Sequence, residues 1–293
     1  MTITTDIAPV AVLGATGQQG GAVAAALLDR GAPVRALVRD PGRAGHLADR
    51  GAQIAVADLD DPASLRAAFA GAAAVFAMTT MTGSSGTEGE VVHGRAIADA
   101  ARAVSVPHLV YSSVGGAERH TGIPHFESKR TIEQYLHQIG VPATVLRPTF
   151  FMDNFSGAFA PRAEDGELVL RAPLQPDVPL QMIAVTDIGQ AAATALLDPR
   201  AVPGGAVELG GDELTAQQIA EVFGRSRELP ARFDPLPLSA LGSGDAQAMF
   251  AWFTRLPAYR ANFDATRALV GQVTDFPAFA FRHSGSGTGG TPG

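Results

Sequence analysis

The sequence contains no cysteine, which excludes disulfide bonds, thiolate catalysis and cysteine-ligated zinc and is consistent with a reducing compartment. Only 17% of its 293 residues are charged, and the formal net charge is −7. This balance gives no electrostatic reason to bind nucleic acid directly. The chain also lacks an apolar run long enough for a membrane span and, in residues 1–6, the basic start of a signal peptide. We therefore expect a cytoplasmic protein that contacts neither a membrane nor nucleic acid.

Glycine, in contrast, is abundant, and three glycines follow an apolar strand at Val10 to Leu13. The pattern G-x-x-G-x-x-G is made by Gly14, Ala15, Thr16, Gly17, Gln18, Gln19 and Gly20. The first glycine permits a sharp turn, the second lets backbone N–H groups approach a pyrophosphate, and the third lets the following helix pack close to the sheet. Because a helix to Asp29 and a strand at 34–38 complete a βαβ unit, the pattern predicts dinucleotide binding. The alternative is a tight turn in an unliganded fold of the same kind.

The end of that second strand indicates which dinucleotide is bound. Arg39 lies 19 residues beyond Gly20, where an acidic residue would favour NAD and an arginine accommodates the 2′-phosphate of NADP. Arg43 is close enough in sequence to assist, and a guanidinium suits phosphate. The sequence therefore predicts NADP(H). Asp40 is the contrary signal, and the alternative is that Arg39 is a solvated loop charge.

Strands and helices alternate along the first half of the chain. The predicted elements are strands at 54–57, 73–78, 108–112 and 143–146 and helices at 61–70, 90–103 and 126–139. Repeated βα units of this kind predict an α/β fold with a Rossmann-like, doubly wound parallel sheet. The Gly-, Ser- and Thr-rich loop 79–89 is either a substrate lid or a plain connector.

The pattern changes after residue 150, which suggests a division of the chain. Residues 1–150 form the predicted NADP-binding core, completed by about 180–212 with a strand at 182–185 and a helix at 187–197. Residues 151–179 and 213–282 form a predicted C-terminal, substrate-side lobe, with a capping box opening a helix at Thr215. The tail 283–293 has nothing to bury and is predicted to be disordered.

The candidate catalytic residues are His125 and Lys129, at the start of the helix that follows the fifth strand. Reductases of the short-chain dehydrogenase superfamily carry Tyr-x-x-x-Lys here, and in this chain the lysine is present but the tyrosine is replaced by histidine. With a reference pKa of about 6.5, an imidazole can donate a proton near neutral pH. The alternative is that His125 is a polar helix-start residue and Lys129 only a cofactor ligand.

Five motifs together resemble the NmrA-like family of atypical short-chain dehydrogenases, over about residues 8–222. They are the glycine loop, Val38-Arg39-Asp40-Pro41, Ala57-Asp58-Leu59-Asp60, His125-Phe126-x-x-Lys129 and Arg147-Pro148-Thr149-Phe150-Phe151-Met152-Asp153-Asn154. The resemblance implies NADP(H) at the glycine loop and Arg39. It further implies cofactor contacts from Asp58 and Leu59 at the adenine end, from Thr79 and Thr80, and from Lys129, Phe151 and Asn154 at the nicotinamide end.

The resemblance leaves two functions open. Some members of the family are NADPH-dependent reductases of quinones, dyes or other unsaturated compounds, whereas others sense the NADPH/NADP ratio and act through a protein partner. We expect a reductase that holds a flat, aromatic or conjugated acceptor against Phe150, Phe151, Phe155 and Trp252. The alternative for these aromatic residues is that they are packed in the core. The alternative is a non-catalytic sensor, and the sequence leaves a protein partner or a homodimer open.

Overall fold

The structure is a computed structural model that describes residues 7–81 and 85–283. Its strands are β1 Val10–Leu13, β2 Val34–Val38, β3 Gln53–Val56, β4 Ala74–Met78, β5 Leu109–Ser112, β6 Ala143–Pro148, β7 Phe150–Phe151, β8 Arg162–Glu164, β9 Glu167–Ala172, β10 Leu180–Ile183, β11 Ala206–Leu209, β12 Asp212–Leu214 and β13 Ala231–Pro235. Its α-helices are α1 Gln18–Asp29, α2 Gly45–Ala48, α3 Pro62–Phe69, α4 Gly86–Ala103, α5 Pro124–Gln138, α6 Val185–Leu197, α7 Ala216–Arg227, α8 Gly244–Trp252, α9 Phe263–Val270 and α10 Phe276–His283.

A seven-stranded parallel sheet forms the centre of the molecule. Its strand order is β3-β2-β1-β4-β5-β6-β11, so the order reverses between β1 and β4. Apolar side chains of α1 and α6 cover one face, and those of α3, α4 and α5 cover the other. This arrangement is a doubly wound Rossmann fold, as the sequence predicted.

The contact between α1 and α6 is close enough to fix the position of α1. A Cβ added at Gly189 of α6 would lie 2.6 Å from the backbone carbonyl carbon of Ala22, so only glycine fits there. At the far end of α1, Arg30 donates to Gln190 Oε1 at 2.7 Å and to Thr194 Oγ1 at 2.9 Å. The helix that follows the glycine loop is therefore held along its length.

The remaining elements build a second apolar cluster, which we call the lobe; it comprises β7–β10, β12, β13, α7, α8 and α10. Two three-stranded sheets, β12-β10-β7 and β13-β9-β8, frame it. The strand predicted at 182–185 as part of the core is β10, and it pairs with β7 and β12 instead of the central sheet. The capping box predicted at Thr215 is confirmed, since its side chain and that of Gln218 each bond the other's backbone N–H.

Several predicted boundaries shift in ways that affect the site. Helix α4 begins at Gly86 instead of residue 90, which shortens the predicted loop 79–89, and residues 82–84 lie outside the described residues. Helix α5 begins at Pro124 and not at residue 126, because proline suits the first turn, so His125 lies inside the helix.

The predicted disordered tail is wrong at its first residue, since His283 ends α10, and residues 284–293 are outside the described part. Within that described part, no helix combines the length and apolar character that a membrane crossing needs.

Candidate functional site

The glycine loop lies at the carboxyl end of β1, where the strand order of the central sheet reverses. Gly14 has a φ of +66°, a conformation that side chains rarely adopt. A Cβ at Gly20 would lie only 2.3 Å from the carbonyl oxygen of Gly14, so the third glycine permits the close approach of α1. A Cβ at Gly17 would lie 3.3 Å from the same carbonyl oxygen, and the backbone of Gly17 is extended, with a φ of −94°.

The N-terminus of α1 is left without a side-chain cap. Its N-cap residue Gly17 has no side chain to accept a bond, and the first turn contains no acidic residue. The first N–H groups of a helix lack partners within the helix, and the helix dipole makes this end positive. The loop is also tied to β5, because Ser112 Oγ donates to Gln19 Oε1 at 2.7 Å. This end of α1 therefore has the features that suit a pyrophosphate, which are N–H groups without a side-chain cap and a positive dipole end.

Two guanidinium groups stand beside this loop at the end of β2. Arg39 and Arg43 are exposed, and neither makes an ion pair or side-chain hydrogen bond within the described residues. The carboxylate of Asp40 is engaged locally, since its Oδ1 accepts the backbone N–H of Gly42 at 2.9 Å. Two cations are thus available for an anion, while the neighbouring acid is occupied by its own turn.

The other predicted cofactor residues also follow core strands. Asp58 and Leu59 are half-buried after β3, where Asp58 Oδ1 accepts the N–H of Asp60 at 3.1 Å. Thr80 is exposed after β4. Phe151 and Asn154 are partly exposed after β6. All of them lie near the carboxyl ends of the strands, the side of an open α/β sheet at which ligands bind.

A buried polar cluster surrounds Lys129, which is 8% exposed. Its Nζ donates to the Thr79 carbonyl oxygen at 2.6 Å and to Thr79 Oγ1 at 3.1 Å, and it lies 3.0 Å from Glu90 Oε1. The carboxylate of Glu90, which is 1% exposed, also accepts from Ser128 Oγ. Tyr111 joins the cluster with its hydroxyl 2.9 Å from Thr79 Oγ1. The cluster therefore connects β4, α4, β5 and α5.

Burial and charge oppose each other at Lys129. Burial lowers the pKa of Lys129 from its ordinary value, while the Glu90 carboxylate acts in the opposite direction. Burial likewise raises the pKa of Tyr111 well above its ordinary value. The tyrosine is therefore neutral near pH 7, and Glu90, with a smaller contribution from Glu133, raises the pKa of Lys129 against the effect of burial.

His125 contacts the lobe and lies outside this cluster. Its Nδ1 is 2.7 Å from Asp245 Oδ2 in α8, and its backbone N–H donates to Asp245 Oδ1 at 2.9 Å. Its ring also packs edge-on against Phe126, with centroids 4.6 Å apart. Asp245 thus caps the first turn of α5 from the lobe and places its other carboxylate oxygen beside the imidazole.

The aromatic residues predicted to hold an acceptor are mostly packed against one another. Phe155 is fully buried, Phe150 is 5% exposed and Trp252 is 9% exposed, all within the lobe cluster. Phe150 and Phe155 have ring centroids 5.6 Å apart, and Trp252 packs on Tyr259 at 5.2 Å. The expectation of an acceptor surface on these three rings is wrong, because they fill the core of the lobe. Phe151 is partly exposed.

Two functional candidates were missed by the sequence reasoning. Glu90 lies on the stripe of α4 that also buries Gly94, Ile97 and Ala101, and a carboxylate in register with a buried stripe signals a buried partner. Asp245 gives no comparable signal, because it lies 120 residues from its partner His125 in a segment without α/β alternation.

The strand order and the glycine loop define a Rossmann-fold protein of the dinucleotide-binding type. A family model described as the NmrA-like family matches residues 8–260. The chain therefore belongs to the NmrA-like family, which confirms the resemblance found in its motifs.

Curated relatives include two reductases. The chain is 28% identical to the NAD(P)H azoreductase of Xenophilus azovorans over 78% of this chain and 77% of that protein. It is 35% identical to the (4-alkanoyl-5-oxo-2,5-dihydrofuran-3-yl)methyl phosphate reductase of Streptomyces griseus subsp. griseus, over 79% of this chain and 78% of that protein. It is also 31% identical to the nitrogen metabolite repression protein nmr of Neurospora crassa, but spans only 35% of that protein's length.

Solved structures share the fold at lower identity. The triphenylmethane reductase of Citrobacter sp., complexed with NADP(H), has a TM-score of 0.76 at 22% identity, covering 94% of this chain and 99% of that one. The NADPH-dependent quinone oxidoreductase of Escherichia coli in complex with NADPH also has a TM-score of 0.76 at 22% identity, covering 94% of this chain and 99% of that one. A negative transcriptional regulator, NmrA, in complex with NADP has a TM-score of 0.79 at 21% identity, covering 96% of this chain and 98% of that one.

Proposed function

We propose that this protein binds NADP(H) across the carboxyl ends of β2, β1, β4 and β5. The observation that carries the proposal is the N-terminus of α1, which has no side-chain cap and lies where the strand order reverses. Beside it lie Arg39 and Arg43, which make no ion pair or side-chain hydrogen bond within the described residues. The helix end suits a pyrophosphate, and the two guanidinium groups suit a 2′-phosphate. The fold neighbours crystallised with NADP(H), NADPH and NADP support the same cofactor.

Arg39→Ala is expected to remove most of the preference for NADPH over NADH. A charge-assisted contact to the 2′-phosphate is worth roughly 1.5 to 3 kcal/mol, which corresponds to about 10- to 150-fold in affinity. Titration of both cofactors against both proteins measures the ratio. The control is Arg225→Ala, which removes an exposed arginine of α7 in the lobe and is expected to leave the ratio unchanged. Equal affinities for NADH and NADPH in the unmodified protein would contradict the assignment.

We further propose that the protein is a reductase of a quinone-like or other conjugated small molecule. NADPH supplies the hydride when bound, and the chain must orient the acceptor and exclude water. The reductases among the relatives and neighbours are named for azo, oxo-dihydrofuran, triphenylmethane and quinone compounds, which are unsaturated or aromatic acceptors. Among the predicted aromatic residues, the partly exposed Phe151 is the one that remains available to an acceptor.

His125 is the proposed proton donor, and the Asp245 carboxylate lies 2.7 Å from its Nδ1. His125→Ala is expected to leave NADPH affinity near normal and to reduce kcat by about 10²- to 10⁴-fold, the usual worth of general acid catalysis. The control is His137→Ala, an exposed histidine in the last turn of the same helix. A decrease in kcat of less than about threefold would remove His125 as the acid, and the proton would then come from water.

A second candidate function is a non-catalytic sensor of the NADPH/NADP ratio that acts through a protein partner. The burial of Phe150, Phe155 and Trp252 supports it, because rings that fill the lobe core do not hold an acceptor. A sensor needs only a surface whose conformation depends on which cofactor is bound.

One experiment separates the two functions. NADPH oxidation is measured against a panel of quinones, azo and triphenylmethane dyes and enones, with NADPH affinity determined on the same preparation. Turnover of one acceptor class supports the reductase. Tight NADPH binding without turnover supports the sensor, and absence of binding refutes both.

A further inference from the structure

Glu90 is a buried carboxylate to which the proposed reaction gives no role. It lies on α4 with 1% of its surface exposed, and its two oxygens contact Lys129, Thr79 and Ser128. A carboxylate this deeply buried requires a cation and hydrogen-bond donors, and the cluster provides both. Its contacts reach two other elements of the core, since Thr79 follows β4 and both Ser128 and Lys129 lie on α5.

The contacts of Lys129 show how Glu90 acts on its surroundings. An ammonium group has three N–H donors. In this structure Nζ has three acceptors within reach, the Thr79 carbonyl oxygen at 2.6 Å, Thr79 Oγ1 at 3.1 Å and Glu90 Oε1 at 3.0 Å. All three donors are therefore directed into the protein. In this arrangement Lys129 acts by holding the backbone of Thr79, and Glu90 holds Lys129.

The position of Thr79 in the sheet identifies what that backbone supports. β4 lies next to β1 on the side opposite β2, the strand that carries Arg39 at its end. A dinucleotide with its pyrophosphate at α1 and its 2′-phosphate at Arg39 must extend its other half in the opposite direction, over the ends of β4 and β5. The residues at those ends are Thr79, Thr80 and Ser113.

We propose that Glu90 is a positioning residue for the nicotinamide half of the cofactor. Through its ion pair with Lys129 it fixes the Thr79 carbonyl, and so fixes the backbone of residues 79 and 80 on which that half of NADP(H) rests. The proposal rests on the proposed NADP(H) binding and assigns a role to a residue outside the motifs. It predicts a selective effect, because the adenine half contacts β2 and α1 and does not depend on Glu90.

The test compares two ligands on the Glu90→Gln variant. NADPH spans the whole site, whereas 2′,5′-ADP carries the adenosine and the 2′-phosphate but lacks the nicotinamide half. Glutamine keeps the size of the side chain and one acceptor oxygen, replaces the other oxygen by an NH2 donor, and removes the charge that holds Lys129. We expect the variant to bind NADPH about tenfold or more weakly and 2′,5′-ADP within about twofold of the unmodified protein, by calorimetric titration.

The matched control is Glu88→Gln, an exposed glutamate of the same helix, which is expected to bind both ligands as the unmodified protein does. If Glu90→Gln does not fold, Ser128→Ala replaces it, since it removes only the hydroxyl that donates to Glu90; the same selectivity is expected at about threefold. Equal losses for both ligands, or no loss for either, overturn the positioning role. Failure of the unmodified protein to bind NADPH overturns the proposed function instead, so the two failures are distinct.

Discussion

Gly17→Val is expected to abolish binding of both NADPH and NADH while the protein stays folded. Gly17 is the N-cap of α1, and a branched side chain there would occupy the space in which the pyrophosphate approaches the free N–H groups. The φ of −94° is one that valine adopts, and the added Cβ would lie 3.3 Å from the Gly14 carbonyl oxygen, which must move by a few tenths of an ångström. Fluorescence titration with each cofactor measures the loss, and circular dichroism with thermal unfolding verifies the fold.

A control in the same helix separates loss of the phosphate site from general damage. Gly21→Ala adds a Cβ 3.4 Å from the Ala15 carbonyl oxygen, an ordinary contact, and removes a glycine from the helix. It is expected to leave binding intact and to raise the free energy of unfolding by up to about 1 kcal/mol. If Gly17→Val still binds either cofactor with unchanged affinity, the glycine loop has only a structural role.

Lys129→Met is expected to lower the free energy of unfolding by roughly 3 to 5 kcal/mol, because it leaves the Glu90 carboxylate buried without its cation. Methionine fills similar space without charge, so the loss reports the unpaired carboxylate more than a cavity. The measurement is urea denaturation without cofactor, since a ligand that binds only the folded protein would add its own stabilisation. NADPH affinity is expected to fall as well, because the Thr79 carbonyl loses the group that holds it.

The double variant Glu90→Gln/Lys129→Met tests that explanation. With both charges removed, most of the lost stability is expected to return, since a neutral pair in place of a buried ion pair is often tolerated. A single-variant loss below about 1 kcal/mol, or a double variant less stable than Lys129→Met alone, would contradict a charged Glu90–Lys129 pair.

Features of the site that depend on local sequence could be predicted. The glycine loop joins a strand to the helix that follows it directly in sequence. Its first residue, Gly14, has a positive φ that favours glycine wherever this turn occurs. Arg39 is proposed for the 2′-phosphate by counting from the loop and stays a prediction, whereas the capping box at Thr215, which is four consecutive residues, is confirmed. The parallel sheet followed from the alternation of strands and helices, because parallel strands require crossover connections.

Features that depend on contacts between distant segments could not be predicted. The sequence indicated that residues near 182 form a strand, but a strand pattern does not say which strands it pairs with, and β10 pairs outside the central sheet. The burial of Phe150 and Trp252 follows from contacts between distant segments, of Phe150 with Phe250 in α8 and of Trp252 with Phe126 in α5, which no local pattern specifies. The buried stripe of α4 could have indicated that Glu90 is buried. It could not indicate that Glu90 contacts Lys129, Thr79 and Ser128.

The cap that Asp245 provides for α5 has a consequence for synthesis of the chain. Because Asp245 follows His125 by 120 residues, the ribosome must add the whole intervening segment before the first turn of α5 receives this acceptor. A nascent chain that ends before α8 therefore carries the helix of Lys129 with one N-terminal donor bonded to water instead of the Asp245 carboxylate, and that helix frays more readily at its start. The part of the core that carries Lys129 is thus completed late, when the C-terminal part of the chain has been translated.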